Sequence, residues 1–215
     1  MGQEYLELTL AGKKWSLTRA GNLEDLWEEM TGQDPEQEDH IPYWTELWPA
    51  SRLLALHLHD RREQLFGKLC LDIGCGLGLT ALQAGSLGAR VMAMDLEWPA
   101  LYYARKNSAL NRISGLCWVR MDWRKPALQP GKFDYVWAAD VLYETRFSEP
   151  LINLLRHCVK NDARIWIADP ERNVSEGIWD RFRKAGFGIR EIKRERILEK
   201  GHGPMIRLLE LTPLV

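Results

Sequence analysis

Five short apolar runs in this chain each end in an acidic residue, and the residues that follow them carry most of its chemistry. The first run leads into Asp72-Ile-Gly74-Cys75-Gly76-Leu-Gly78. Glycines at alternate positions permit a tight turn and let a ligand approach the backbone closely. The spacing is G-x-G-x-G, whereas the dinucleotide fingerprint is G-x-G-x-x-G. An anionic pyrophosphate disfavours a neighbouring carboxylate such as Asp72, and a cationic or amino-bearing ligand favours one. The second run ends at Asp95, where a carboxylate can accept both ribose hydroxyls of a nucleoside. The third ends at Asp122-Trp123, a pair able to accept from an adenine exocyclic amine and to cover the base face. After the fourth stands Asp140-Val-Leu-Tyr143, and after the fifth Asp169-Pro170-Glu171-Arg172. An aspartate here can also simply cap the following helix, a plainer role that competes most strongly at Asp122 and Asp169.

The elements that must position these residues follow from the apolar pattern. The runs at 69–73, 90–94, 116–121, 133–139 and 164–168 lack strict alternation, as strands covered on both faces do. Between them lie helical patterns at 79–87 and 100–111. Phe147, Leu151, Leu154, Leu155 and Cys158 then fall on one helix face. Another helix begins at Ser175 and Glu176 and ends near Gly186, and β-like runs at 188–195 and 205–211 close the chain. This alternation predicts an α/β fold, a doubly wound parallel sheet with helices on both faces. Ligands of such sheets bind outside the carboxyl ends of the strands, where the five acids stand. Ahead of the sheet, alternating Leu6, Leu8 and Leu10, then Ala11-Gly12, then Trp15 and Leu17, predict a hairpin. Asn22 is placed to cap a short helix carrying Leu23, Leu26, Trp27 and Met30, and Pro49 to open one carrying Leu53, Leu54, Leu56 and Leu58. The expected division is an extension over residues 1–48 and a main domain over 49–215.

A length of 215 residues with 46% hydrophobic and 27% charged residues is that of a globular chain with one main core. The formal charge of −1 disfavours a general nucleic-acid binder. Charge is uneven, however: residues 1–49 hold 11 acidic and 3 basic side chains. Such a segment is most simply a solvated loop, with a partner surface as the sharper reading. The basic tract Arg181, Arg183, Lys184, Arg190, Lys193, Arg194 and Arg196 reads as a solvated helix and edge strand. Cys70, Cys75, Cys117 and Cys158 form no C-x-x-C pair and no His cluster accompanies them, so no metal site is expected. Three of them sit in apolar stretches as small buried hydrophobes. With no secretory pattern at the start and no apolar run of about 20 residues, the expectation is a cytoplasmic protein off the membrane. Most of the ten tryptophans are expected in the core.

From Trp44 onward the chain resembles the seven-strand S-adenosylmethionine-dependent methyltransferases. Asp72-x-Gly74-x-Gly76-x-Gly78 looks like their first motif and Asp95 like their ribose-binding acid. It resembles more narrowly the methyltransferase-like family of protein-lysine methyltransferases. Glu46-Leu-Trp48-Pro49, Met121-Asp122-Trp123-Arg124 and Asp140-x-x-Tyr143 carry that likeness. Pro42-Tyr43-Trp44 through Pro49, with Asp169-Pro170-x-Arg172, is similar to the branch that modifies the electron-transfer flavoprotein β-subunit, although Glu171 stands where the family often has glycine.

The resemblance implies a Rossmann-like, mostly parallel seven-stranded sheet with an N-terminal hairpin and helix. It implies S-adenosylmethionine as cofactor, held by Trp48, Asp72, Gly74, Cys75, Gly76, Gly78, Asp95, Asp122, Trp123 and Ala139. It implies a protein partner that presents a lysine, with Asp140 holding the ammonium and Tyr143, one turn on if the segment is helical, closing over the alkyl stem. A monomer is the expected state. Three other readings stay open from the residues alone. The acceptor could be RNA or a small amine, although no N-P-P-Y-like segment follows the fourth run. The chain could be a non-catalytic nucleotide-binding module. It could be a nicotinamide-dependent dehydrogenase, which the glycine spacing and Asp72 oppose.

Overall fold

The computed structural model describes residues 3–33, 41–172, 175–198 and 203–214. The acidic residues Asp34, Glu36, Glu38 and Asp39 lie outside the described residues. Strands β1 (Glu4–Leu10) and β2 (Lys13–Arg19) pair antiparallel through a two-residue turn. Ala11 and Gly12 both take positive φ there, 50° and 76°, the backbone that matches the twist of a tight hairpin. Helix α1 (Leu23–Gln33) starts where Asn22 Oδ1 accepts from the Asp25 amide at 2.9 Å. Helix α2 (Pro49–Asp60) begins with its proline, whose missing N–H costs nothing in a first turn. A single helical turn, α3 (Arg62–Leu65), follows.

The remaining elements alternate as their apolar pattern predicts. They are β3 (Leu69–Ile73), α4 (Leu79–Ser86), β4 (Arg90–Asp95), α5 (Trp98–Leu110), β5 (Cys117–Arg120), β6 (Phe133–Ala139), α6 (Ser148–Cys158), β7 (Val159–Pro170), α7 (Ser175–Lys184), β8 (Phe187–Arg196) and β9 (Met205–Pro213). Strands β3 to β9 form one seven-stranded sheet in the order β5-β4-β3-β6-β7-β9-β8. Only β9 runs against the others, inserted antiparallel between β7 and β8. Strand order reverses at β3, which has β4 on one side and β6 on the other. The crevice beyond the carboxyl ends of β3 and β6 is therefore the switch point where a doubly wound sheet binds its ligand.

Two apolar layers cover the sheet. Side chains of β6, α6 and α7 pack on one face around Leu151, Leu155, Ile178 and Phe182. Leu53, Leu54 and Leu58 of α2 pack on the other face with Trp137 and Trp166. The hairpin joins that second side: Trp15 and Leu17 lie with Leu47, Ala55, Leu79 and Leu82. Four of the ten tryptophans are buried, at 15, 137, 166 and 179. Trp118 and Trp123 pack half-buried against the core, so most of the tryptophans serve it, whereas Trp98 is exposed.

Three features differ from the apolar and charge patterns. Helix α5 begins at Trp98, because Pro99 suits a first turn although no apolar period marks it. Strand β7 begins at Val159, because Val159 already pairs with Phe133 while Lys160, Asn161 and Asp162 give no apolar signal. The basic tract is largely neutralised in place. Arg183 pairs with Asp180, Arg190 with Glu210, Lys193 with Glu195, and Arg194 with Glu171 and Glu191.

One buried side chain ties the hairpin to the sheet's glycine loop. Asn107, on α5 and fully buried, accepts through Oδ1 from the Thr18 amide at 2.6 Å and the Thr18 hydroxyl at 3.1 Å. Its Nδ2 donates to the carbonyls of Thr18 at 3.2 Å and Leu77 at 3.0 Å. Asn107→Ala leaves those groups buried and unpaired. The expected loss is about 2–4 kcal/mol, because each such group costs roughly 1–3 kcal/mol before the site relaxes. Urea denaturation measures it, and a loss below about 0.5 kcal/mol, the level of an ordinary surface change, would place the attachment elsewhere.

Candidate active site

The turns that leave β3 and β6 face one another across the switch point. Gly74, Gly76 and Gly78 take φ of 65°, 49° and 88°, values that L side chains rarely adopt. A Cβ on residue 74 would sit 2.8 Å from Val141 Cγ1, inside any real contact. A Cβ on residue 78 would sit 3.0 Å from Ala104 Cβ and 3.1 Å from Trp118. The glycines thus let the loop lie against β6's turn on one side and α5 on the other.

Asp72 is 1% exposed and accepts from Thr80 Oγ1 at 2.6 Å. It holds the start of α4 beneath the loop and does not reach the cavity wall. Burial pushes its carboxyl up to about 7, against the opposing pull of the Thr80 hydrogen bond. Asp95 closes β4. Its Oδ2 accepts from the Gly76 amide at 2.9 Å and its Oδ1 from the Glu97 amide at 3.0 Å. Burial raises this carboxyl to about 6, and the two backbone donors oppose the rise.

These turns enclose a cavity of about 590 Å³, a size that suits a small-molecule ligand. Gly74, Gly76, Asp95, Asp122, Trp123, Ala139, Asp140, Tyr143 and Trp48 all line it. Cys75 and Gly78 line instead a crevice of about 40 Å³ behind the loop. Of the residues named from sequence, Glu46, Trp48, Gly74, Gly76 and Ala139 border both spaces. Asp72 borders neither and lies under the turn.

Aromatic rings form a connected wall along one side. Trp48 lies 6.0 Å from Tyr43, Tyr43 4.9 Å from Tyr143, Tyr143 5.0 Å from Phe147, and Phe147 5.6 Å from Trp123. Trp48 is fixed by its indole N–H, which donates to the Tyr43 carbonyl at 2.8 Å. Trp44 stacks on Tyr103 at 5.9 Å and also borders the cavity. Sequence spacing assigns no site role to Tyr43, although the cluster of aromatics before Pro49 is a signal for it. It puts Phe147 on a helix face, whereas Phe147 stands just ahead of α6 and borders the cavity. Tyr143 is not one helical turn beyond Asp140. The segment bends instead, because Asp140 itself takes a φ of 57°. Burial pushes the Tyr143 hydroxyl up to about 12, so it stays a neutral hydrogen-bonding phenol.

Six acidic and two basic residues border the cavity, namely Glu46, Asp95, Glu97, Asp122, Asp140 and Glu144 against Arg124 and Arg146, with both carboxylate oxygens of Asp140 themselves enclosed. The wall suits a cationic ligand and opposes an anionic one. Asp122 is held by Arg124, whose Nη2 lies at 2.7 Å and whose Nε and amide also donate to it, and this partner lowers its carboxyl. Asp140 has 4% of its side chain exposed and meets Arg172 Nη1 at 2.8 Å. Burial still raises the Asp140 carboxyl, against the pull of Arg172. Asp169, 1% exposed, pairs with Arg207 and stands away from the cavity.

The family described as lysine methyltransferase matches residues 36–182 of this chain. Among curated relatives, the human electron transfer flavoprotein beta subunit lysine methyltransferase is 32% identical over 138 residues, covering 63% of this chain and 52% of that protein. The protein-lysine methyltransferase METTL21E of Mus musculus is 30% identical over 164 residues, covering 70% and 66%. The chain thus spans about half to two thirds of the length of these relatives. Among solved structures, magnesium protoporphyrin IX methyltransferase from Synechocystis, with SAM bound, superposes with a TM-score of 0.60 at 19% identity, covering 88% of this chain and 90% of that one. That likeness speaks for the fold.

A pH series tests the burial of Asp72. A carboxyl raised in the native state keeps its proton where the unfolded chain has lost it. The native state then binds more protons between about pH 4 and pH 7, so this group's contribution falls as pH rises through that window. Asp72→Asn keeps an oxygen for Thr80 and removes the charge. The ligand-free variant is expected to lose less stability than the parent between about pH 5 and pH 8, as followed by denaturant unfolding. Parallel curves would mean that Asp72 ionises at its ordinary value.

Proposed function

We propose, from the premise that this chain belongs to the lysine methyltransferase family, that it transfers a methyl group from S-adenosylmethionine to the ε-amine of a lysine in a protein partner. The observation that carries the reading is a single cavity that is acidic, aromatic-walled and bordered at once by the glycine turn of β3 and the Asp140 turn of β6. Both proposed ligand groups, a sulfonium and an ammonium, are cations, and the excess of carboxylates supports both.

The residues fit the cofactor. Gly74 and Gly76 offer bare backbone at the cavity, and Asp95 keeps lone pairs beyond its two backbone bonds. A carboxylate accepts up to about four hydrogen bonds, so the ribose hydroxyls have acceptors there. Trp123 offers a ring to the base, and Trp48 borders the other end of the wall. When bound, S-adenosylmethionine supplies an electrophilic methyl group, which passes to nitrogen as the carbon–sulfur bond breaks. The protein's part is chiefly positioning, which in two-substrate reactions contributes much of the rate.

A lysine arrives protonated, since its side chain ordinarily titrates near about 10.4. Asp140 attracts the charged form to the cavity. Enclosure by Tyr43, Tyr143 and Phe147 then disfavours the charge by desolvation and favours the neutral nucleophile. Tyr143 closes the aromatic wall over the alkyl stem. The four cysteines are free thiols, three of them buried, which fits a reducing compartment such as the cytoplasm. Among the described residues no helix is long and apolar enough to cross a membrane.

S-adenosylmethionine is expected to raise the melting temperature and NAD to leave it unchanged, since only a ligand of the native state stabilises it. Asp95→Ala should weaken cofactor binding by about 1.5–3 kcal/mol, the worth of hydrogen bonds to a charged group. Asp140→Asn should abolish most methyl transfer while calorimetry finds cofactor affinity unchanged. Transfer is read with labelled S-adenosylmethionine and fractionated lysate. The electron transfer flavoprotein β subunit, the target named for relatives, is offered in a parallel arm. Label in RNA alone would overturn the lysine reading, and full activity in Asp140→Asn would remove Asp140 from the acceptor site.

A further inference from the structure

Asp140 presents a buried carboxylate with unspent capacity. Neither of its oxygens completes a hydrogen bond, and neither does Arg172 Nη1, although the two groups stand 2.8 Å apart. The pair meets by charge, in an alignment too poor for a hydrogen bond. A buried ionised carboxylate is costly unless a counter-charge stands close, and the loss of either partner leaves the other uncompensated. Asp140 borders the cavity and Arg172 does not, so the guanidinium approaches from outside the cavity wall.

The backbone fixes that approach. Strands β6 and β7 run side by side with Ala139 opposite Ala168, and the Asp140 amide donates to the Ala168 carbonyl at 2.9 Å. Pro170 ends the β7 ladder opposite Ile206, and the Glu171 amide donates to the Met205 carbonyl at 2.8 Å. Arg172 is thus launched from a strand end tied to both neighbours. Its side chain is one-third exposed, while that of Asp140 is almost wholly buried.

We infer that Arg172 is a positioning residue for the acceptor: it gives Asp140 its counter-charge from behind the cavity wall and leaves the carboxylate's hydrogen-bonding capacity for the incoming ammonium. The inference rests on the reading that Asp140 receives a lysine. An arginine that gripped Asp140 through both oxygens would compete with the acceptor, and the misaligned contact does not.

Binding to the protein loaded with S-adenosylhomocysteine tests this without turnover. The probe is Nα-acetyl-lysine methylamide, its neutral control the Nε-acetylated form, and the readout an NMR titration. Arg172→Gln is expected to weaken the charged probe about tenfold and the neutral control not at all, because removing one partner of a buried charge pair is felt by the other. Arg172→Lys, which keeps the charge, should stay within about threefold of the parent. In Asp140→Asn, the further change Arg172→Gln should add nothing, the signature of a residue that acts through its partner. An Arg172→Gln effect of equal size in both backgrounds overturns the inference and leaves the role of Asp140 standing. An Asp140→Asn variant that binds the charged probe as the parent does overturns that role, and the inference with it.

Discussion

Two chain reversals must pass within van der Waals contact where the strand order turns back on itself. One leaves β3 through Gly74, the other leaves β6 through Asp140 and Val141. A β-carbon at residue 74 would overlap Val141, so the first turn must be glycine for two reasons at once, its positive φ and its neighbour. The second turn is made by a residue with a side chain. Asp140 at a φ of 57° accepts a backbone cost that short polar residues bear best. Its amide is anchored on Ala168 of the adjacent strand. The close approach of these turns brings an aspartate from the middle of the sheet to within one cavity of the glycine loop.

Around that contact the acids divide by what they bind. Asp72 lies under the turn and Asp95 stands at the end of β4 on the cavity wall, and burial raises both carboxyls. Their partners are neutral donors, the Thr80 hydroxyl and backbone amides. Such donors favour the ionised form without cancelling the charge, so Asp95 still offers a negative charge to a ligand. Asn107 works on the same loop from the other side, through the Leu77 carbonyl. The loop is therefore set before any ligand arrives, hydrogen-bonded on one flank to the half-buried Asp95 and on the other to the buried Asn107.

The strand and helix periods made the sheet legible, because covered strands carry apolar runs and their acids mark the ends. The glycine loop, Asp95 and Asp140 were legible for the same reason: each stands at or directly after the end of such a run. What sequence spacing does not carry is contact between distant segments. Tyr43 and Tyr143 are a hundred positions apart, and their ring contact depends on how the segment before α2 crosses the sheet's end. Arg172 was visible only as part of a motif, since its partner is fixed by the β6–β7 register. Asp72 shows the opposite limit. Its place beside the glycines suggested a ligand contact, whereas its burial and its bond to Thr80 put it under the turn.

Burial also ranks how readily the cavity's acids can change partner. Arg124 and Arg146 are mostly exposed, with 64% and 72% of their side chains accessible. Ion pairs in that setting contribute little, because water screens them and the side chains lose freedom in forming them. Asp122 and Glu144 can therefore give up those partners to a ligand at small cost. Asp140 cannot, because its carboxylate is almost fully enclosed and without Arg172 it would stand alone. The two ends of the cavity thus follow different rules. On the Asp122 side, recognition can proceed by exchange of a weak surface pair for a ligand bond. On the Asp140 side, the only inexpensive route is addition, in which an incoming cation completes hydrogen bonds that the resident arginine leaves unmade.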